Sequence, residues 1–119
     1  MIARNIDEEE SGRYTANLAD ILGVVPVLTA ATLTLYDEAT GAIINGRNAQ
    51  AVLNANNCTY DNVTGIFVWE ILPADNPILD ATRTTETHVA QFIATYNVAP
   101  VRIKPWSLVL WVKNLAKVT

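Results

Sequence analysis

The chain has few side chains suited to covalent or metal chemistry. Its 119 residues include one cysteine, Cys58, and one histidine, His88. A lone cysteine closes no internal disulfide. Flanked by Asn57 and Thr59, it reads as an incidental small side chain rather than a reactive thiol. One His and one Cys this far apart fall short of a zinc site. His88 follows Glu86 at the start of an apolar run and reads as a strand-edge histidine bonded to a neighbour, because no motif supplies a nucleophile or an orienting partner. The five glycines are scattered singly, so there is no phosphate-cradling loop. The acidic run Asp7, Glu8, Glu9, Glu10 lacks the spaced ligands and the glycine of a calcium loop. These absences predict no catalytic residues, no metal, no cofactor and no small-molecule substrate.

Charge and long apolar runs are scarce as well. Charged residues make up 17% of the chain and the net charge is −4, which argues against nucleic acid, since phosphate neutralisation needs clustered Lys and Arg. The longest uncharged stretch, Ile21 to Tyr36, is shorter than the roughly 20 residues that span a bilayer, and Pro26 interrupts it. No membrane association is expected. The first twelve residues run through four acids rather than a basic-then-apolar leader, so synthesis in a cytoplasm is expected. Asn57-Cys58-Thr59 and Asn62-Val63-Thr64 match the glycosylation pattern and read as turn residues that do so by chance.

What is abundant is apolar surface arranged in short alternating runs. Half the residues are hydrophobic, and a chain of this length buries about two-thirds of its surface on folding. Leucine and threonine alternate in Leu33-Thr34-Leu35. Ile66 to Leu72 sets Phe67, Trp69 and Ile71 on one face, His88 to Tyr96 sets Ala90, Phe92 and Ala94 in a row, and Ser107 to Leu115 alternates Leu108, Leu110 and Val112 with Val109, Trp111 and Lys113. Shorter candidates are Tyr14–Leu18, Ala42–Asn45 and Cys58–Tyr60. Asp37 to Gly41 and Asp61 to Gly65 read as turns, and Pro73 to Pro77 ends the Trp69 strand. One short helix is expected over Asn48–Ala55, with Asn48 as its cap.

Strands at this spacing predict an all-β fold: a single immunoglobulin-like antiparallel β-sandwich of about seven strands, with at most one short helix. The expected organisation is an extended N-terminal arm over 1–12 and a sandwich over 13–119. The arm carries four acids and one base, whereas no acid follows Glu86 and Arg102, Lys104, Lys113 and Lys117 do. That asymmetry suits head-to-tail contact between copies, and an arm that orders on assembly suits strand addition to a neighbour. Trp69 is expected at the centre of the core. The candidate protein-interface residues are Asp7, Glu8, Glu9, Glu10, Trp106, Trp111 and Lys113. Trp111, sharing a face with Lys113, is covered by the arm or anchors an interface.

Leu33-Thr34-Leu35-Tyr36-Asp37-Glu38-Ala39-Thr40-Gly41-Ala42-Ile43-Ile44-Asn45, followed by Gln50-Ala51-Val52-Leu53-Asn54, resembles small structural proteins of tailed bacteriophages. Trp69 with Pro73-Ala74-Asp75-Asn76, then Glu86-Thr87-His88-Val89-Ala90-Gln91-Phe92 and Val112-Lys113-Asn114-Leu115, extend the resemblance over most of residues 28–115. Asn97-Val98-Ala99-Pro100 departs from the more polar turn expected there. The resemblance implies an immunoglobulin-like, non-enzymatic virion component of the head decoration (cement) type. Such a protein sits on the capsid exterior, bound to the major capsid protein and to copies of itself in a homo-oligomer such as a trimer. A tail, baseplate or head-to-tail connector subunit is the alternative. A host-surface or carbohydrate-binding module, stacking sugar on Trp106 or Trp111, is the third reading.

Overall fold

A computed structural model describes residues 2–96 and 100–117. Among the described residues, eight strands form two sheets: β1 (Ile2–Asp7), β2 (Gly12–Asn17), β3 (Leu28–Asp37), β4 (Gln50–Ala51), β5 (Cys58–Tyr60), β6 (Ile66–Ile71), β7 (Thr85–Tyr96) and β8 (Arg102–Lys113). One sheet has the order β1-β8-β7-β3-β4 and the other β2-β6-β5. This is the immunoglobulin-like sandwich with a variable-type extra strand, β4, beyond β3. All pairings are antiparallel but one: β1 runs parallel to β8, with Ile2 opposite Leu108 and Asp7 opposite Lys113.

The alternation seen in the sequence fixes the two faces. Phe67, Trp69 and Ile71 of β6 point inward against Leu33 and Leu35 of β3, Phe92 of β7, and Leu108 and Leu110 of β8. Trp69 is fully buried and its ring meets Phe92 edge-on at 5.7 Å. Phe67 and Phe92 pack similarly at 5.4 Å. Such edge contacts add a fraction of a kcal/mol up to about 1.5 kcal/mol each beyond the area they bury. Trp106 belongs to this cluster, stacked 5.1 Å from Phe92.

Two local expectations are corrected. Asn48–Ala55 forms no helix. Gln50–Ala51 pairs with β3, Val52 is fully buried, and Ala49 and Asn54 have positive φ. Eight residues gain too little from helical bonds to outweigh nucleation, whereas here the segment covers the edge of β3. The helix is instead α1 (Leu18–Leu22), at the end of the run expected to be strand. The Asn17 side chain caps it by accepting the Asp20 N–H, and Gly23 closes it at φ 80° by donating to the Ala19 carbonyl. Ala42–Asn45 makes only a single bridge, Tyr36 to Ile43. The two turns form as read: Gly41 and Gly65, both at positive φ, donate to Asp37 and Asp61.

Residues 2–12 do not stand off the body. β1 lies along the outer edge of β8, and Ile6 is 4% exposed within the core. The β7–β8 register runs to Tyr96 opposite Arg102. The departure from the expected turn falls on 97–100, and 97–99 lie outside the described residues.

Candidate functional site

Because β1 runs parallel to β8, the acidic turn after β1 lies beside Lys113 at the end of β8, while Arg102 and Lys104 lie at the strand's other end. The charge asymmetry of the sequence is therefore kept only in part by the molecule. Asp7 faces Lys113 across the register. The acidic turn is fastened by its backbone. Glu8 N–H donates to the Lys113 carbonyl at 2.9 Å, and Glu9 N–H to that of Asn76 at 2.8 Å. The Asn76 amide returns a bond to the Glu10 carbonyl at 2.7 Å. Two side chains add to this: Glu10 accepts the Asp7 N–H at 3.1 Å and Glu8 accepts the Leu115 N–H at 2.8 Å.

Of the seven candidate interface residues, the fold brings four together. Asp7, Glu10, Trp111 and Lys113 line an open groove of about 550 Å³ with Asn5 and Thr85. Trp111 alternates outward on β8 and is 43% exposed, beside β1 but not covered by it. Glu8 and Glu9 belong to the same turn. Trp106, at an inward position, does not join them. It lines a second groove of about 510 Å³ between the β2 edge and Lys104–Ser107. Burial raises the Tyr14 hydroxyl pKa in this groove, and the Trp106 indole opposes that in part.

The edge of β8 beyond β1 is a poor place for strand addition. Asn114 N–H bonds the Thr84 carbonyl, and Glu8 N–H bonds that of Lys113. The backbone N–H and C=O groups of even-numbered β8 residues therefore point to β7 and those of odd-numbered ones to the outer edge. Pro105 occupies an outward position, so the uncovered stretch lacks its central donor. On the β2 edge, the Arg4 side chain takes the outward carbonyl of Arg13.

Under the acidic end lies a buried polar cluster, of which the sequence reading held only the bond between His88 and a neighbour. Asp37 on β3 sits directly opposite His88 on β7, and Glu86 shares the inner face with His88. His88 Nε2 and Glu86 Oε1 are 2.8 Å apart. Glu86 also accepts the N–H groups of Leu79 and Asp80, while Asp37 accepts the Thr40 hydroxyl and Arg83. Burial alone would raise both carboxyls. The hydrogen bonds, with Arg83 beside Asp37 and His88 beside Glu86, outweigh it and hold both below their ordinary values. The three side chains offer ligand atoms within 4.8 Å of one another, but each carboxylate oxygen already accepts a hydrogen bond and Arg83 supplies the positive charge. The cluster fits a structural strut better than a metal seat. Its only signal in the sequence was two polar residues, Glu86 and His88, in register with Ala90, Phe92 and Ala94. Cys58 is also spent on structure: burial pushes its thiol pKa up to about 12.

The opposite end is apolar. The β2–β3 and β5–β6 connections meet there, tied by the Tyr60 hydroxyl donating to the Pro26 carbonyl and by Leu18 N–H donating to that of Gly65, and β8 begins at the same end. On this tip Ile21, Val24, Val25, Val27, Val63, Val101 and Ile103 are exposed, Val63 to 84%. Arg102 and Lys104 flank them. Four of these residues fall in the uncharged stretch from Ile21 to Tyr36, but exposed aliphatic side chains have no periodic signature that would have marked them as surface. Comparison with protein-family models, curated proteins and solved structures finds no match to this chain.

Proposed function

We propose that the protein is a non-enzymatic structural subunit of a tailed-bacteriophage virion, a capsid decoration protein held on the exterior of the shell by the major capsid protein and by other copies of itself. The observation that carries this reading is the apolar tip. Seven large aliphatic side chains are exposed at one end of a body measuring 52 × 23 × 22 Å, a concentration of apolar surface of the kind proteins cover with partners. The buried titratable groups support it from the other side. Arg47 pairs with Asp75, Glu86 with His88 and Asp37 with Arg83, all five buried groups being held inside the sandwich and lining neither groove described above. The family resemblance in the Leu33–Asn54 and Glu86–Phe92 segments supplies the identity of the shell.

A weak contact at the tip becomes strong reinforcement when many copies engage one particle. The test is quantitative mass spectrometry of particles purified from cells that produce the chain. Hundreds of copies per particle are expected, and replacing Val24, Val25 and Val63 by serine should abolish loading without changing the urea midpoint of the free protein. Copies sufficient for one ring only would make it a tail, baseplate or connector subunit. Absence from particles would refute a virion role.

A further inference from the structure

We infer that the groove around Trp111 is a saccharide-binding site for neutral, β-linked oligosaccharides of glucose configuration, a property that does not depend on the virion reading. β8 turns Trp111 and Lys113 to the outer face. β1 sets Asn5 opposite Trp111 and Asp7 opposite Lys113, and β7 sets Thr85 opposite Lys113. The turn after β1 folds back so that the Glu10 carboxylate reaches the Asp7 N–H and closes one wall. The described residues give neither Asp7 nor Lys113 an ion pair.

The surroundings of this tryptophan select among ligands. A protein-anchoring tryptophan sits at the centre of a packed, desolvated patch. Trp111 is instead ringed by an amide, a hydroxyl, two carboxylates and an ammonium. A free anion or cation would meet a like charge there. A sugar ring is uncharged, presents C–H groups on its face and hydroxyls at its rim, and uses donors and acceptors of both signs. Hydroxyls bonded to charged groups are held more strongly than by neutral partners. With every hydroxyl equatorial, a glucose-configured ring leaves its face free to lie on the indole. About 550 Å³ accommodates two or three such rings. The groove is open, so the affinity expected is millimolar for one site and useful only where copies are clustered.

The test is titration of the full chain with cellotriose and with triacetylchitotriose to tens of millimolar, read by tryptophan fluorescence and by saturation-transfer NMR. Trp69 is fully buried, whereas Trp106 lines the second groove, so a fluorescence change is assigned to Trp111 by its loss in Trp111→Ala and its persistence in Trp106→Phe. Saturable binding of either sugar is expected. It should be lost in Trp111→Ala, partly kept in Trp111→Phe and weakened several-fold in Asp7→Asn, all with unchanged urea midpoints. No saturable binding of either sugar, or binding that survives Trp111→Ala, overturns the proposal. So does a Trp111→Ala variant that loses particle loading when the native chain binds no sugar, because Trp111 is then a protein anchor.

Discussion

Arg47 and Asp75 meet inside the sandwich, Nε donating to Oδ1 at 2.6 Å and Nη2 to Oδ2 at 3.2 Å, with neither side chain more than 3% exposed. The Asn45 amide and the Leu72 N–H complete the shell of Asp75, each at 2.8 Å. The remaining guanidinium donor, Nη1, reaches the Gln50 side chain and the Asn56 carbonyl. The guanidinium also lies 5.7 Å from the centre of the Trp69 ring. The pair thus joins the turn before β4, the loop before β5 and the turn after β6 to the core tryptophan.

Breaking that pair from one side leaves a buried charge without compensation, which costs about 3–5 kcal/mol, whereas an apolar replacement of both partners is often neutral. Asp75→Ala should therefore lower the stability by that amount in urea titration, with an unchanged m-value. The double variant Arg47→Met, Asp75→Leu should recover most of the loss. If Asp75→Ala costs less than about 1 kcal/mol, the pair contributes little to holding these turns.

The Asp37–Glu86 cluster sets the acid limit of the fold. Both carboxyls have pKa values lowered from the ordinary 3.8 and 4.5, so the unfolded chain binds these protons more tightly than the folded one. The stabilisation is complete above the unfolded-state values and is lost as pH falls through the lower folded-state ones. Urea midpoints should be flat from neutral pH to about pH 5 and then fall. Glu86→Gln should be less stable than the native chain at pH 7, with the gap narrowing by pH 3. An equal gap at both pH values would remove Glu86 from the acid response.

The sheets were legible in the sequence because a half-buried strand repeats every two residues and the turns between strands carry Asp and Gly at fixed places. Phe67, Trp69 and Ile71 could be assigned to one face before any coordinates. The helix was misplaced because Asn17 to Gly23 holds only five helical residues, too few for periodicity. Asn48–Ala55 had good helix composition but was needed as an edge pair for β3. Asp37 and Arg83 could not be linked to Glu86 and His88, since the contact depends on the β3–β7 register. Trp111 was read correctly as outward, while Trp106 went inward because β8 begins at Arg102, five residues before the run that the alternation revealed.

The same register argument changes what the first residues do. A loose arm could be removed at no cost to the isolated fold. In the structure, Ile6 is nearly as buried as the central strands, and β1 supplies partners to the outward groups of β8 from Leu108 to Lys113. Removing residues 1–7 would expose that ladder and leave Val112, opposite Ile6 in the register, short of a neighbour on the core side. Ile6→Ala alone should cost about 2–5 kcal/mol, the range for truncating a buried isoleucine. Deletion of 1–7 should cost more and should deprotect the amides of Val109 and Trp111 to hydrogen exchange. A deletion variant with native stability would mean that β1 rests on the edge of β8 without holding it, and the arm would again be free to pair with a second copy.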